Sequence, residues 1–312
     1  MEINMTLKGR DFISIHDFSP AEVAYILQVG LELKREKRQG ITHPLLAGKT
    51  LGMIFQKSST RTRVAFEVGM YQLGGHALFL SPRDIQLGRG ETIKDTALVL
   101  ARMVDGIMIR TFSHDEVLEM ARWSSVPVIN GLTDLLHPTQ VIGDMMTVIE
   151  HRGALQGLKL AFIGDGNNVA HELLFGGAKV GMDVTIACPP GFEPNPQVLE
   201  LARQDAELTG AKLTVVESPW EAVRGADAVY TDVWASMGQE GEAEEKEKKF
   251  LQYQVNQALM DAAKPGAIAL HCLPAKRGKE ITDEVMDGPQ SAIFDESENR
   301  LHAHKAIMAL VM

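Results

Sequence analysis

Two doubly wound α/β domains, each a parallel sheet covered by helices and joined by interdomain helices, are the fold this sequence predicts. Three observations lead there. Short apolar runs of strand length alternate with longer segments of helical periodicity, the pattern of a parallel sheet with crossover helices. The alternation comes as two series, parted by a break at Gly153 and Gly157. The length of 312 residues, 45% of them hydrophobic, suits two domains at roughly 150 residues each.

The elements follow in order. Ser19 is an N-cap, with Pro20 and Glu22 behind it, and an amphipathic helix runs to about Arg38 before Gly40 ends it. Residues 50–55 are an apolar strand, and 63–73 show helical spacing that stops at Gly74-Gly75. The unit then repeats: strand 76–80, helix 92–103, strand 106–110, helix 114–124, strand 126–130. Pro138 occupies the first turn of a long helix reaching about His151, and the domain boundary falls near it. The second series comprises strand 159–163, a helix from about Val169, strand 183–187, helix 198–208, strand 213–216, helix 219–223 and strands 226–231 and 267–270. Residues 299–312 form a last apolar helix.

Composition removes several function classes. A net charge of −10 opposes duplex binding, which needs a concentrated basic patch, so no nucleic-acid partner is expected. The two cysteines, Cys188 and Cys272, are far apart and suggest neither a disulfide framework nor a thiol metal cluster. Residues 1–10 contain no apolar signal region, and no run approaches the roughly 18 to 20 apolar residues of a membrane span. A cytoplasmic protein without a membrane partner is the expectation.

The first strand runs into Gln56-Lys57-Ser58-Ser59-Thr60-Arg61-Thr62-Arg63, hydroxyls and guanidinium groups placed where a helix begins. Unpaired N–H groups at a helix start and arginine forks suit a phosphate. Taken alone, the cluster reads equally well as a capped helix with solvated arginines. Arg110 ends another strand, and His137-Pro138-Thr139-Gln140 opens the long helix with His137 and Gln140 on one face. In the second series three strand ends carry polar residues: Asp165 to Asn168, Asp232 to Gly238, and His271 to Pro274. Separate turns would explain each of them, but ligands bind at the carboxyl ends of strands in open α/β sheets, so their joint placement favours a site.

Other matches fail. Gly48-Lys49-Thr50 resembles the end of a P-loop, but His43 stands where glycine is required. Gly164-Asp165-Gly166 lacks the third glycine of a dinucleotide fingerprint, since Val169 stands there. His302 and His304 are two apart and face different ways on a helix, which disfavours a metal pair. The charged run 240–249 is expected to be a solvated segment beside the site.

Together, Ser59-Thr60-Arg61-Thr62-Arg63, His137-Pro138-Thr139-Gln140, Asp232 with Ser236-Met237-Gly238, and His271-Cys272-Leu273-Pro274 resemble the ornithine branch of the aspartate/ornithine carbamoyltransferases over nearly the whole chain. The first two motifs are shared with the aspartate enzymes; the last two point to ornithine. The resemblance implies a domain at 1–148 for carbamoyl phosphate, with the helix 291–312 packing back on it, and one at 149–290 for ornithine. It assigns Ser59, Thr60, Arg61, Thr62, Gln86, Arg110, His137 and Gln140 to carbamoyl phosphate. Asn168, Asp232, Ser236, Met237, Cys272 and Leu273 are assigned to ornithine, with Arg300 a further ligand contact. Arg61, Arg110, His137 and Cys272 are the implied catalytic set, Cys272 as a positioner rather than a covalent nucleophile. Gln86 would serve the neighbouring subunit's site, which implies a homotrimer with shared sites. No metal and no organic cofactor are implied. Glu172 departs from the small hydroxyl residue expected there and adds a carboxylate near the ornithine pocket. Carbamoyl transfer to aspartate, putrescine or an acylated ornithine, and a non-catalytic binding module, are the competing readings.

Overall fold

The computed structural model describes residues 7–87, 89–234 and 243–312, and by contacts the chain forms two units: 1–146 with 298–312, and 147–297. The boundaries fall inside two long helices.

The first unit carries helix α1 (Pro20–Arg38), strand β1 (Thr50–Phe55), α2 (Thr60–Gln72), β2 (His76–Leu80), α3 (Ile93–Leu100), β3 (Gly106–Arg110), α4 (His114–Trp123), β4 (Val128–Leu132) and the start of α5 (Pro138–Arg152). Its sheet is fully parallel in the order β2-β1-β3-β4. Ser19 caps α1 by a reciprocal box: its hydroxyl accepts from Glu22 N, and Glu22 Oε2 accepts from Ser19 N at 2.8 Å. The second unit carries β5 (Lys159–Ile163), α6 (Asn168–Val180), β6 (Asp183–Ala187), α7 (Pro196–Ala206), β7 (Leu213–Val216), α8 (Pro219–Val223), β8 (Ala228–Thr231), α9 (Ala243–Phe250), α10 (Gln257–Asp261), β9 (Ile268–His271), α11 (Asp283–Asp287) and the start of α12 (Ile293–Val311). Its parallel order is β7-β6-β5-β8-β9.

Both orders reverse direction once, between β1 and β3 in one sheet and between β5 and β8 in the other. At such a switch point neighbouring crossovers leave in opposite directions and open a crevice at the strand ends. In the first unit, α12 approaches unusually closely. An added Cβ at Gly69 of α2 would lie 2.9 Å from Met308 Cε, and one at Gly143 of α5 would lie 3.3 Å from Arg300 N. Glycine at these two places lets α12 lie close enough for its Arg300 to reach the start of α2. Lys305 of α12 is wholly buried, with Nζ 2.7 Å from His43 Nε2 and 3.1 Å from Gln72 Oε1; burial lowers its pKa to about 8.

The charged run meets its expectation in part. Residues 243–250 form α9, whose Lys248 and Lys249 are exposed as a solvated segment would have them, but Lys246 within it is 8% exposed and paired with Asp165. Its ion-pair partner, not its own charge pattern, decides where Lys246 lies; residues 240–242 lie outside the described ones.

Candidate active site

In the first unit the cluster is built around the Thr62 hydroxyl. Ser59 caps α2, accepting from Thr62 N at 3.2 Å, and its own hydroxyl lies 3.1 Å from Thr62 Oγ1. Arg300 donates to Thr62 Oγ1 at 2.6 Å and Arg110 at 3.5 Å. Thr62, Arg110, His137, Gln140 and Arg300 are all buried. Two guanidinium groups converging on the hydroxyl at one helix start make a strongly anion-attracting place.

His137 belongs to the same cluster. Burial holds its pKa well below the usual value, and Arg300, Arg110, His304 and Arg61 add to the effect. The imidazole is therefore neutral at neutral pH, a donor through one nitrogen only, and Nδ1 has no hydrogen-bond partner among the described residues. His304 is likewise neutral, stacked on Phe66 at 4.0 Å. Gln140 N donates to His137 O at 3.2 Å, and Gln140 Nε2 donates to Asp144 Oδ1 at 2.7 Å, which fixes its amide. Thr60 and Arg61 occupy the first turn of α2. Gln86 is exposed between β2 and α3.

In the second unit the adjacent ends of β5, β8 and β9 bring Asn167, Asp232 and Cys272 together. Asn167 caps α6, its Oδ1 accepting from Val169 N and Ala170 N, while Nδ2 donates to Asp232 Oδ2 at 2.8 Å across the switch point. Asp232 Oδ1 accepts from its neighbour Val233 N at 2.7 Å and from Cys272 Sγ at 3.1 Å. The carboxylate is thus fixed by three uncharged donors.

Leu273 follows with φ +58, a left-handed conformation costly for leucine, and precedes a cis peptide to Pro274. His271 stabilises that turn: Leu273 N donates to its Nδ1 at 2.9 Å, so the ring proton lies on Nε2, 3.1 Å from Glu280 Oε1. His271 N in turn donates to Glu296 Oε2, whose other oxygen accepts from Tyr230 Oη at 3.1 Å. His271 is thereby a scaffold residue. Glu172 is fully buried in α6. Ser236, Met237 and Gly238 lie outside the described residues.

Among the described residues, Asp232, His271 and Cys272 are the grouping of three metal-capable side chains, with donor atoms within 4.8 Å of one another. Both His271 nitrogens are already engaged, so the set offers an ion two ligands rather than three.

Residues 10–150 match the carbamoyl-P binding domain, and residues 156–311 the Asp/Orn binding domain, of aspartate/ornithine carbamoyltransferases. The chain belongs to this family. It is 59% identical to the ornithine carbamoyltransferase of Symbiobacterium thermophilum over 98% of this chain and 99% of that protein, and 54% identical to that of Thermococcus kodakarensis over 99% and 98%. The ornithine carbamoyltransferase structure from Pyrococcus furiosus superposes with a TM-score of 0.96 at 52% identity, covering 99% of this chain and 98% of that one.

Within this carbamoyltransferase scaffold, the strand-end motifs nominated from sequence supply the clusters, and Arg300 joins Thr62 at the start of α2. Asn167 was missed. The motif points to Asn168, the first residue of α6, but it is the capping Asn167 that holds Asp232. The signal lay in the N-cap preference for asparagine at the residue before the helix. Gly166 explains why the turn can form: an added Cβ there would lie 2.3 Å from Pro194 N and 2.5 Å from Glu193 C, both backbone. Gly166→Ala is expected to destabilise the protein by about 1–3 kcal/mol, read as a lower denaturation midpoint.

Proposed function

We propose that this chain transfers the carbamoyl group of carbamoyl phosphate to the side-chain amine of L-ornithine, giving L-citrulline and phosphate. The observation that carries the reading is the Asp232 carboxylate, held by Asn167 and Cys272 and suited to an α-ammonium, in a chain whose other unit gathers arginines on Thr62. A second carboxylate, as aspartate would bring, is repelled by Asp232; putrescine leaves the α-amino acid groups unused.

Ser59, Thr60, Thr62 and the start of α2, with Arg61, Arg110 and Arg300, hold the phosphate dianion, and Gln140 binds beside them. Neutral His137 donates to the carbonyl oxygen as it gains charge, together with Arg61 and Thr62; such a donor is worth roughly 3–4 kcal/mol of barrier. The substrate's α-ammonium lies on Asp232, its carboxylate end meets Asn168 and the Ser236-Met237 backbone, and Cys272 with the Leu273 carbonyl orients the reacting amine. An alkyl ammonium is neutral in only about one part in 2,500 at pH 7, a cost on the order of 4–5 kcal/mol. Surrounding guanidinium groups favour the neutral amine. Its nitrogen attacks the carbonyl carbon, the bond from that carbon to the phosphate oxygen breaks, and the leaving phosphate takes the proton. No step needs a metal or an organic cofactor.

We further assign a homotrimer in which Gln86 serves a neighbouring subunit's site, in the cytoplasm. Support comes from the first unit's edge. Val64 and Tyr71 lie on one face of α2, Leu78 lies on edge strand β2, and Val99 and Met103 are near α3; all are exposed, Tyr71 at 81%. A parallel sheet is ordinarily covered on both faces, so a second copy of this chain is the natural cover. No helix among the described residues is long and apolar enough to cross a membrane.

The deciding assay is ureido-product formation from carbamoyl phosphate with ornithine, aspartate, putrescine or N-acetylornithine in parallel, without added metal. Citrulline formation alone is expected. Strong product with another amine would overturn the ornithine assignment, and no product would leave a binding module.

A further inference from the structure

Lys246 is a buried cation that the reaction as drawn above does not use. Its side chain is 8% exposed, its Nζ donates to Asp165 Oδ2, and it lies 5.3 Å from the ring centre of Phe192 and 5.8 Å from that of Phe250. Aromatic faces attract an ammonium, but they do not replace its water; the Asp165 carboxylate is what makes the burial tolerable. Stability alone does not call for such a pair, since well-packed apolar residues commonly serve as well.

Its place in the unit is telling. Asp165 stands just after β5, two residues before the Asn167 that grips Asp232. The two carboxylates feel each other: burial holds the Asp165 carboxyl above its usual range, Lys246 draws it down, and Asp232 pushes it up. The surroundings are acidic as well, for the Cys188 thiol is raised to about 12 by burial and by Glu193, Asp165 and Glu217. Lys249, 5.3 Å from the Phe192 ring, is a second cation of α9 on that ring.

We propose that Lys246 is a positioning residue for the amino-acid substrate: by cancelling Asp165 it leaves Asp232 as the uncompensated member of this strand-end pair of carboxylates, free to take the α-ammonium. The inference rests on the reading that Asp232 takes that ammonium. Without Lys246, Asp165 becomes a second anion beside the first. The α-ammonium is then divided between two carboxylates, and the substrate's own carboxylate is repelled from the pocket. A substrate held in two registers is held productively in neither. The effect is confined to ornithine, because the phosphate-holding arginines belong to the other unit.

The test is a charge cycle on the full-length enzyme: Lys246→Met, Lys246→Arg, and Lys246→Met combined with Asp165→Asn. Lys246→Met is expected to raise the KM for ornithine about tenfold or more, with the KM for carbamoyl phosphate within about twofold of wild type. Lys246→Arg keeps the charge and is expected to retain most of the affinity. The double variant carries the same methionine but no orphaned carboxylate, and is expected to recover an ornithine KM within about threefold of wild type. A double variant no better than Lys246→Met would mean that Lys246 acts through the packing of α9, and the proposal falls; so it does if Lys246→Met leaves the ornithine KM unchanged. Asp232→Asn in the same assay separates the two levels. If it raises the ornithine KM while the Lys246 cycle stays flat, only this proposal is overturned; if it leaves that KM untouched, the reading of the pocket fails and this proposal with it.

Discussion

Asp232→Asn is expected to lower kcat/KM for ornithine by about 10²–10³, nearly all of it through KM, while the KM for carbamoyl phosphate stays within about twofold. The substitution keeps the shape and removes the charge. Asp232 receives Asn167 Nδ2 on one oxygen and both Val233 N and Cys272 Sγ on the other. An asparagine can satisfy only one side of that set with its oxygen, so its own NH2 is turned toward another donor. The substrate ammonium thus loses a charge-assisted partner and meets a pocket whose donors are partly unpaired, a combination worth roughly 3–4 kcal/mol. Steady-state kinetics with ornithine varied at saturating carbamoyl phosphate reads the effect, and an unchanged ornithine KM would place the α-ammonium elsewhere.

His137→Ala is expected to lower kcat by about 10²–10³ with little change in either KM, because the lost donor acts on charge that develops only as the amine attacks. The pH profile carries the sharper statement. Burial, then Arg300, Arg110, His304 and Arg61, hold His137 well below 6.5, so it is already neutral throughout the range in which the enzyme is assayed. Acidification toward pH 6 does not protonate it. The acid limb of kcat therefore belongs to the substrate amine, and the same limb is expected in His137→Ala at lower amplitude. A limb present in the wild type and absent from the variant would show that His137 titrates there and would overturn its role as a neutral donor.

Much of this was legible in the order of residues. The strand ends that carry Ser59 to Arg63, Arg110, Asp232 and Cys272 are visible because apolar runs of strand length stop where polar residues begin. The cap at Ser19 is a local contest between a hydroxyl and the next three amides, settled within four residues. The part of Asn167 in holding Asp232 was not read because the motif names two asparagines and only the start of the helix tells which one caps it. The 243–250 run was legible only in part: its charges describe the solvated face that Lys248 and Lys249 occupy, and nothing nearby in sequence announces that Lys246 is buried.

The sequence by itself determined the two series of strands and helices, the capped turn at Ser59 and the polar strand ends, since all of these follow from periodicity and short-range hydrogen bonding. Only the tertiary structure decided that Arg300 meets Thr62 across 238 residues, Asn167 meets Asp232 across 65, and Lys246 meets Asp165 across 81. The physical reason is that such contacts depend on strand order. Placing β1 beside β3 and β5 beside β8 is settled by how helices pack over both faces of a sheet, and close helix approach at Gly69 and Gly143 then brings the Arg300 guanidinium to its partner.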